Sequence, residues 1–99
     1  MREAAGIARL VIVEGLVQGV GYREFTRRAA LRRAITGWVR NRSNGAVEAL
    51  LVGAEGDIET LLAELRRGPR GASVTAVRVA DGAADARGAG ETFVILPTL

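Results

Sequence analysis

The 99-residue chain carries 14 basic and 11 acidic residues, a formal charge of +3, and has neither histidine nor cysteine. One domain of this size can build a hydrophobic core without a disulfide or metal staple. The missing residue types exclude zinc fingers, thiol nucleophiles, Ser-His-Asp triads and imidazole bases.

Residues 1–6 read as a flexible tail without a leader-like pattern. The best apolar run, Leu10 to Val13, falls far short of the ~20 residues of a spanning helix. A cytoplasmic protein that needs no oxidising compartment and no membrane is therefore expected. Ile7 to Glu14 is β-branched and mostly apolar, the pattern of a buried strand. Gly15 to Gly21 holds three glycines in seven residues and reads as a loop. Tyr22 to Ala34 turns helical: Tyr22, Phe25 and Ala29 share a face, and Arg27, Arg28, Arg32 and Arg33 fall on the wet side.

Gly37 to Asn41 is a second strand and Arg42 to Gly45 a turn, with Asn44-Gly45 as a hairpin signal. Ala46 to Val52 is the third strand, closed by Gly53. Asp57 to Arg67 has acids at its start, arginines at its end and an apolar stripe of Ile58, Leu61, Leu62 and Leu65, the polarity that suits a helix dipole. Gly68-Pro69 stops it. Ser73 to Ala80 alternates as a fourth strand, Gly82 to Gly90 is an Ala/Gly-rich loop, and Glu91 to Leu96 is a last strand. The order β-α-β-β-α-β predicts a single α+β domain over residues 1–99. Its fold is a ferredoxin-like sandwich, an antiparallel sheet with two helices on one face and room for a further short strand at an edge.

The segment Val13-Glu-Gly15-Leu-Val-Gln18-Gly19-Val-Gly21-Tyr-Arg23 joins a strand end to a helix start. Unpaired amides and the positive end of a helix dipole converge there, and glycines let such a loop curl into an anion nest. Arg23 stands at a helix N-terminus against the preference of the dipole, as an arginine does when it holds an anion. A Walker A loop is excluded, since no Lys-Ser or Lys-Thr follows the last glycine. A dinucleotide fingerprint is excluded by Glu24 where its third glycine belongs. A glycine loop that merely turns the chain remains the plain alternative. Asn41, at the end of the second strand, carries a carboxamide able to orient a water molecule, though asparagine also simply starts turns.

Together the two segments resemble the acylphosphatase family. The first matches its pattern of an aliphatic residue followed by x-Gly-x-Val-Gln-Gly-Val-x-aromatic-Arg. The second, Gly37-Trp-Val-Arg-Asn41-Arg-Ser-Asn-Gly45-Ala-Val47 with Gly53 beyond, matches Gly-aromatic-Val-basic-Asn and the glycines and valine that follow. The resemblance spans Leu10 to Val79. It implies hydrolysis of acyl phosphates to a carboxylate and orthophosphate, with no metal and no cofactor. It further implies a cradle formed by Gln18, Gly19, Val20, Gly21, Tyr22 and Arg23, with the Arg23 guanidinium on the phosphoryl group and Asn41 holding the attacking water. The composition agrees: a carboxylate leaving group needs no general acid, and the phosphoryl dianion can take the proton of the water itself, so positioning and charge stabilisation remain.

The chain departs from the family at Glu91 to Leu99, which keeps Phe-x-Ile but lacks a closing Arg or Tyr. The bland Ala83–Gly90 loop and the last strand are expected to bear little on the cradle. Gly21 and Tyr22 replace two adjacent aromatics seen in some members. Trp38 is expected in core or sheet packing, Glu14 on the face of its strand away from the anion site, and the Arg27/Arg28/Arg32/Arg33 cluster on a solvated helix face. The partners expected are a small-molecule acyl phosphate and orthophosphate, for a monomer that binds no nucleic acid. Two other readings share the pattern: a phosphate or carbamoyl-phosphate binding module without catalysis, and an RNA-recognition sheet. The latter needs aromatic rings on its central strands, and Leu10–Val13 and Ala46–Val52 have none.

Overall fold

The computed structural model describes residues 6–99. Of the tail expected over residues 1–6, all but Gly6 lies outside the described residues; the Gly6 backbone lies against that of Gly53. The elements run β1 (Ile7–Leu16), α1 (Tyr22–Arg32), β2 (Thr36–Asn41), β3 (Val47–Gly53), α2 (Glu55–Arg67), β4 (Ser73–Asp81), a 3-10 turn (Ala83–Gly88) and β5 (Phe93–Ile95). The strands form one sheet in the order β4-β1-β3-β2-β5. Every pairing is antiparallel except β2 with β5, which is parallel. The ferredoxin-like α+β fold is as expected, but the fifth strand makes the sheet mixed rather than antiparallel throughout. The reason is the return path. After β4 at one edge, the chain crosses the outer face, touching β1 and β3, and pairs only on reaching the free edge of β2.

Alternation along the strands separates two faces. Val11, Val13, Val39, Val47, Ala49 and Leu51 point toward the helices and pack with Ala29 and Ala30 of α1 and Ile58, Leu61, Leu62 and Leu65 of α2. The stripe predicted for α2 is therefore the one it buries. On the outer face Trp38 and Leu50 pack with Ala89, which follows the 3-10 turn. The segment expected as a featureless loop over Gly82 to Gly90 thus covers a second, smaller core. Small residues suit that job because backbone must approach the sheet closely: a Cβ at Gly82 would lie 2.9 Å from the Arg9 carbonyl carbon. Trp38 packs here, away from the helices, with the Arg40 guanidinium 4.6 Å above its ring.

α1 ends at Arg32, two residues before the expected Ala34. Ala34 adopts φ 55°, and the Ile35 amide bonds back to the Ala30 carbonyl, which closes the helix. α2 carries Glu55 and Asp57 in its first turn and Arg66 and Arg67 in its last. Its Leu65 carbonyl is one of the four at a helix end without an intrahelical donor. The Tyr22 hydroxyl donates to it at 2.6 Å from the first residue of α1. Burial pushes the Tyr22 phenol well above its usual pKa, so it remains a donor throughout the working pH range.

Replacing Tyr22 by Phe leaves the Leu65 carbonyl buried and unpaired, which should cost about 1–2 kcal/mol. For a domain of this size the midpoint should fall by roughly 5–10 °C in thermal unfolding followed by circular dichroism. An unchanged midpoint would show that the inter-helix bond contributes nothing.

Candidate active site

At the end of β1 the ladder shifts register between Glu14 and Gly15. Gly15 has φ 126°, and a Cβ there would collide with the Ser73 carbonyl, so only glycine fits this bulge. The bulge turns the chain out of the sheet into the loop at 17–21. Val17 is buried in the main core and Val20 packs against it, so two valines hold the loop from beneath. Between and after them Gly19 and Gly21 take φ 78° and 79°, left-handed conformations that cost glycine little. Gly21 caps α1 without a side-chain bond.

The result is a stretch of backbone with free donors. Among the described residues, the amides of Gln18 to Glu24 donate to no carbonyl or side chain. Gly19, Gly21, Tyr22 and Arg23 border a cleft of about 250 Å³, together with Val17, Glu24, Asn41 and Ile95. Arg23 makes no ion pair among the described residues, in contrast to its neighbours Arg27 and Arg28, which both bind Glu24. The Glu24 carboxyl is held below the usual carboxylate range, chiefly by the hydrogen bond from Arg28 and also by the charges of Arg27 and Arg28. It is therefore an anion already engaged on its own helix.

Asn41 reaches the same cleft from the far side of the sheet's helix-facing surface. It follows Val39 by two residues in β2 and so shares the face of Val39. Its Oδ1 is buried and has no hydrogen-bond partner among the described residues. A buried carboxamide oxygen without a donor is a costly group, and it borders the cleft that Arg23 also borders. Asn44, by contrast, spends its Oδ1 on the Ala46 amide at 3.0 Å, within the turn. Glu14 lies on the outer face, paired with Arg78 at 3.2 Å, as its strand position predicts.

Gln18 and Val20 are not on the cleft wall. Gln18 Nε2 donates to the Arg42 carbonyl at 2.8 Å and to the Ala46 carbonyl at 2.9 Å. Both amide protons are spent on the turn that follows Asn41, which leaves only the Gln18 backbone amide for a ligand. Val17, Glu24 and Ile95 line the cleft outside the expected set. The last strand was expected to bear little on the cradle, yet its pairing of Ile95 with Val39 brings it to the cleft beside Asn41. No local pattern announces this, because it follows from a parallel pairing between segments more than fifty residues apart. Val17 was legible in the loop motif, but its place in the wall was not.

Comparison with known proteins follows the same line. The sequence model of the acylphosphatase family matches residues 9–95. An acylphosphatase of Rhodopseudomonas palustris (strain BisB18) is 47% identical over 96 residues, covering 94% of this chain and 97% of that protein. The crystal structure of acylphosphatase from Bacillus subtilis superposes with a TM-score of 0.82 at 33% identity, covering 91% of this chain and 98% of that one. Full-length HypF in its phosphate- and nucleotide-bound form also superposes with a TM-score of 0.82, at 27% identity, over 98% of this chain but only 13% of that one.

The double bond of Gln18 yields a directional prediction. Gln18→Ala should cost about 1 kcal/mol: the Arg42 and Ala46 carbonyls keep their backbone donors, the Gly45 and Arg42 amides, and lose only their second hydrogen bond. Gln18→Glu should cost more at neutral pH, since a carboxylate would face two carbonyl oxygens with no donor between them. It should regain part of the loss on acidification, when the new carboxyl can donate one bond. Urea unfolding of both variants across pH measures this; equal costs at every pH would contradict the tether.

Proposed function

The chain belongs to the acylphosphatase family, enzymes that hydrolyse acyl phosphates, and on that premise we propose how its own residues carry the reaction. The phosphoryl group sits in the loop, bound by the free amides of residues 18–24 and by the Arg23 guanidinium. Helix α1 points its positive end at the same place, so the developing charge meets fixed dipoles that need not reorganise. Asn41 accepts a hydrogen bond from water through Oδ1 and aims its oxygen at phosphorus. The new P–O bond forms as the bond to the acyl oxygen breaks. The carboxylate leaves as an anion, and the proton of the water passes to a phosphoryl oxygen to give orthophosphate.

The observation that carries this reading is that Arg23 and Asn41 border one cleft, and that among the described residues neither the Arg23 guanidinium has a carboxylate partner nor Asn41 Oδ1 a hydrogen-bond donor. The reaction asks for no general acid, because an acyl carboxylate is a good leaving group. It needs no metal where amides and a guanidinium supply the charge. The protein is a cytoplasmic monomer in this reading, acting on free small molecules. No helix among the described residues is long and apolar enough to cross a membrane.

A second reading has one observation behind it: the likeness to a small part of HypF. In that reading the domain holds a phosphate or carbamoyl phosphate without turning it over. Both readings meet in one experiment, hydrolysis of an aryl acyl phosphate in excess EDTA beside binding of orthophosphate. Wild type should turn over undiminished by EDTA. Arg23→Gln should lose orthophosphate binding and nearly all activity. Asn41→Ala should keep orthophosphate binding within a few-fold while kcat falls by roughly 100-fold or more, the size of effect expected for a lost transition-state contact. Near-normal turnover of Asn41→Ala would refute the water-holding role, and a wild type that binds orthophosphate without turnover would establish the binding module.

A further inference from the structure

A second concavity, a shallow groove of about 510 Å³, adjoins the cleft and shares Gly21 and Glu24 with it. Its remaining lining is Phe25, Arg28 and Arg32. Residues 21, 25, 28 and 32 recur at helical spacing, so the groove is a stripe of α1 that starts at the proposed phosphoryl site and runs up the helix.

The charge of this stripe exceeds what its partners neutralise. Arg27 and Arg28 share the single carboxylate of Glu24, and Arg32 and Arg33 share that of Glu64. Four guanidinium groups therefore face two carboxylates. Arg33 takes the close bond to Glu64 at 2.8 Å, while Arg32 stands 3.8 Å away with 62% of its side chain exposed. Arg28 binds Glu24 through Nε at 2.9 Å with 70% of its side chain exposed. That single bond leaves the two terminal nitrogens of Arg28 free to form a fork. Of the four, Arg28 and Arg32 line the groove, with Glu24 as its one carboxylate, so the groove itself carries one guanidinium in excess, beyond the phosphoryl site.

We propose that this groove is the acyl-side subsite, and that it selects acyl phosphates whose acyl group ends in a second carboxylate. The inference rests on the phosphoryl group lying in the loop as described above. Arg28 is seven residues up the helix from Gly21, a rise of about 10 Å. Helical side chains lean toward the N-terminus, and the bond from Arg28 back to Glu24 has that direction, which shortens the gap by about one turn. A span of roughly 5 Å fits a dicarboxylic acyl chain of four or five carbons. Its methylenes would lie on Phe25, a half-buried ring stacked at a tilt on Tyr22 with centroids 5.8 Å apart. Its terminal carboxylate would meet Arg28, with Arg32 one turn further on. An acetyl group would fill neither.

The test compares succinyl monophosphate with acetyl phosphate in wild type, Arg28→Ala, Arg32→Ala and the double variant. The readout is the ratio of kcat/KM for the two substrates, taken in about 0.5 M salt so that long-range attraction is screened. Wild type should prefer succinyl monophosphate at least tenfold, the difference residing in KM. Either single variant should lower the ratio several-fold and the double variant should abolish the preference, with Arg28→Lys recovering part of it. Both arginines are mostly exposed, and circular dichroism checks that the variants fold. A wild type without preference, or a preference that survives in the double variant, overturns the subsite while leaving hydrolysis intact. A wild type that turns over neither substrate overturns the hydrolase reading, and the subsite with it.

Discussion

One side chain sets the distance on which the candidate site depends. Gln18 leaves the glycine loop and gives both of its amide protons to the turn after Asn41, to the carbonyls of Arg42 and Ala46. Those carbonyls lie 24 and 28 residues away in sequence. The bond ties the loop before α1, itself seated on Val17 and Val20, directly to the turn after β2. With it, the segment bearing Arg23 and the segment bearing Asn41 become one rigid rim. Catalysis by positioning depends on geometry held to a fraction of an ångström, and a tether between neutral amide groups achieves this without adding charge beside an anion.

The far side of the same turn is braced by charge. Glu48 is buried on the outer face of β3, bracketed by Arg40 at 2.9 Å and Arg42 at 3.3 Å. A buried carboxylate is tolerable only with such partners. Arg42 thus serves twice: its guanidinium binds Glu48, and its backbone carbonyl receives Gln18. The ion pairs hold the strand ends on the outer face, the tether holds the loop, and Asn41 directly precedes Arg42, which takes part in both.

The wall that residues 17–23 give the candidate site is mostly backbone. Two left-handed glycines, the buried Val17, the half-buried Val20 and a helix N-terminus create a set of free amides whose positions do not depend on flexible side chains. Arg23 adds charge at a helix start, where the dipole disfavours it, and makes no ion pair among the described residues. The arginines further along α1 differ in kind. They are partly neutralised by Glu24 and Glu64, and their surplus is spread along a groove instead of concentrated on one point. A single helix thus presents a backbone site at its start and a guanidinium stripe along its side.

Much of this was legible in residue order. The strand and helix periods, the turn at Asn44-Gly45 and the α2 stripe depend on local chemistry, and they appear within a few residues of where the pattern predicts them. The glycine loop and its arginine were legible for the same reason, since a strand end, positive φ and a helix start are all local. The order of elements, and with it the ferredoxin-like class, follows from those periods. Only the tertiary structure decided what depends on distant pairing. The chain's crossing of the outer face turned an Ala/Gly loop into a lid over Trp38 and Leu50, and it delivered β5 parallel to β2, with Ile95 on the cleft. It also sent the Gln18 side chain to the turn and not to the cleft, and left the oxygen of Asn41 buried without a donor among the described residues. Local sequence specifies which conformations a segment prefers. Which carbonyl an amide finds across the fold is settled only when the sheet has closed and the remaining polar groups must be satisfied.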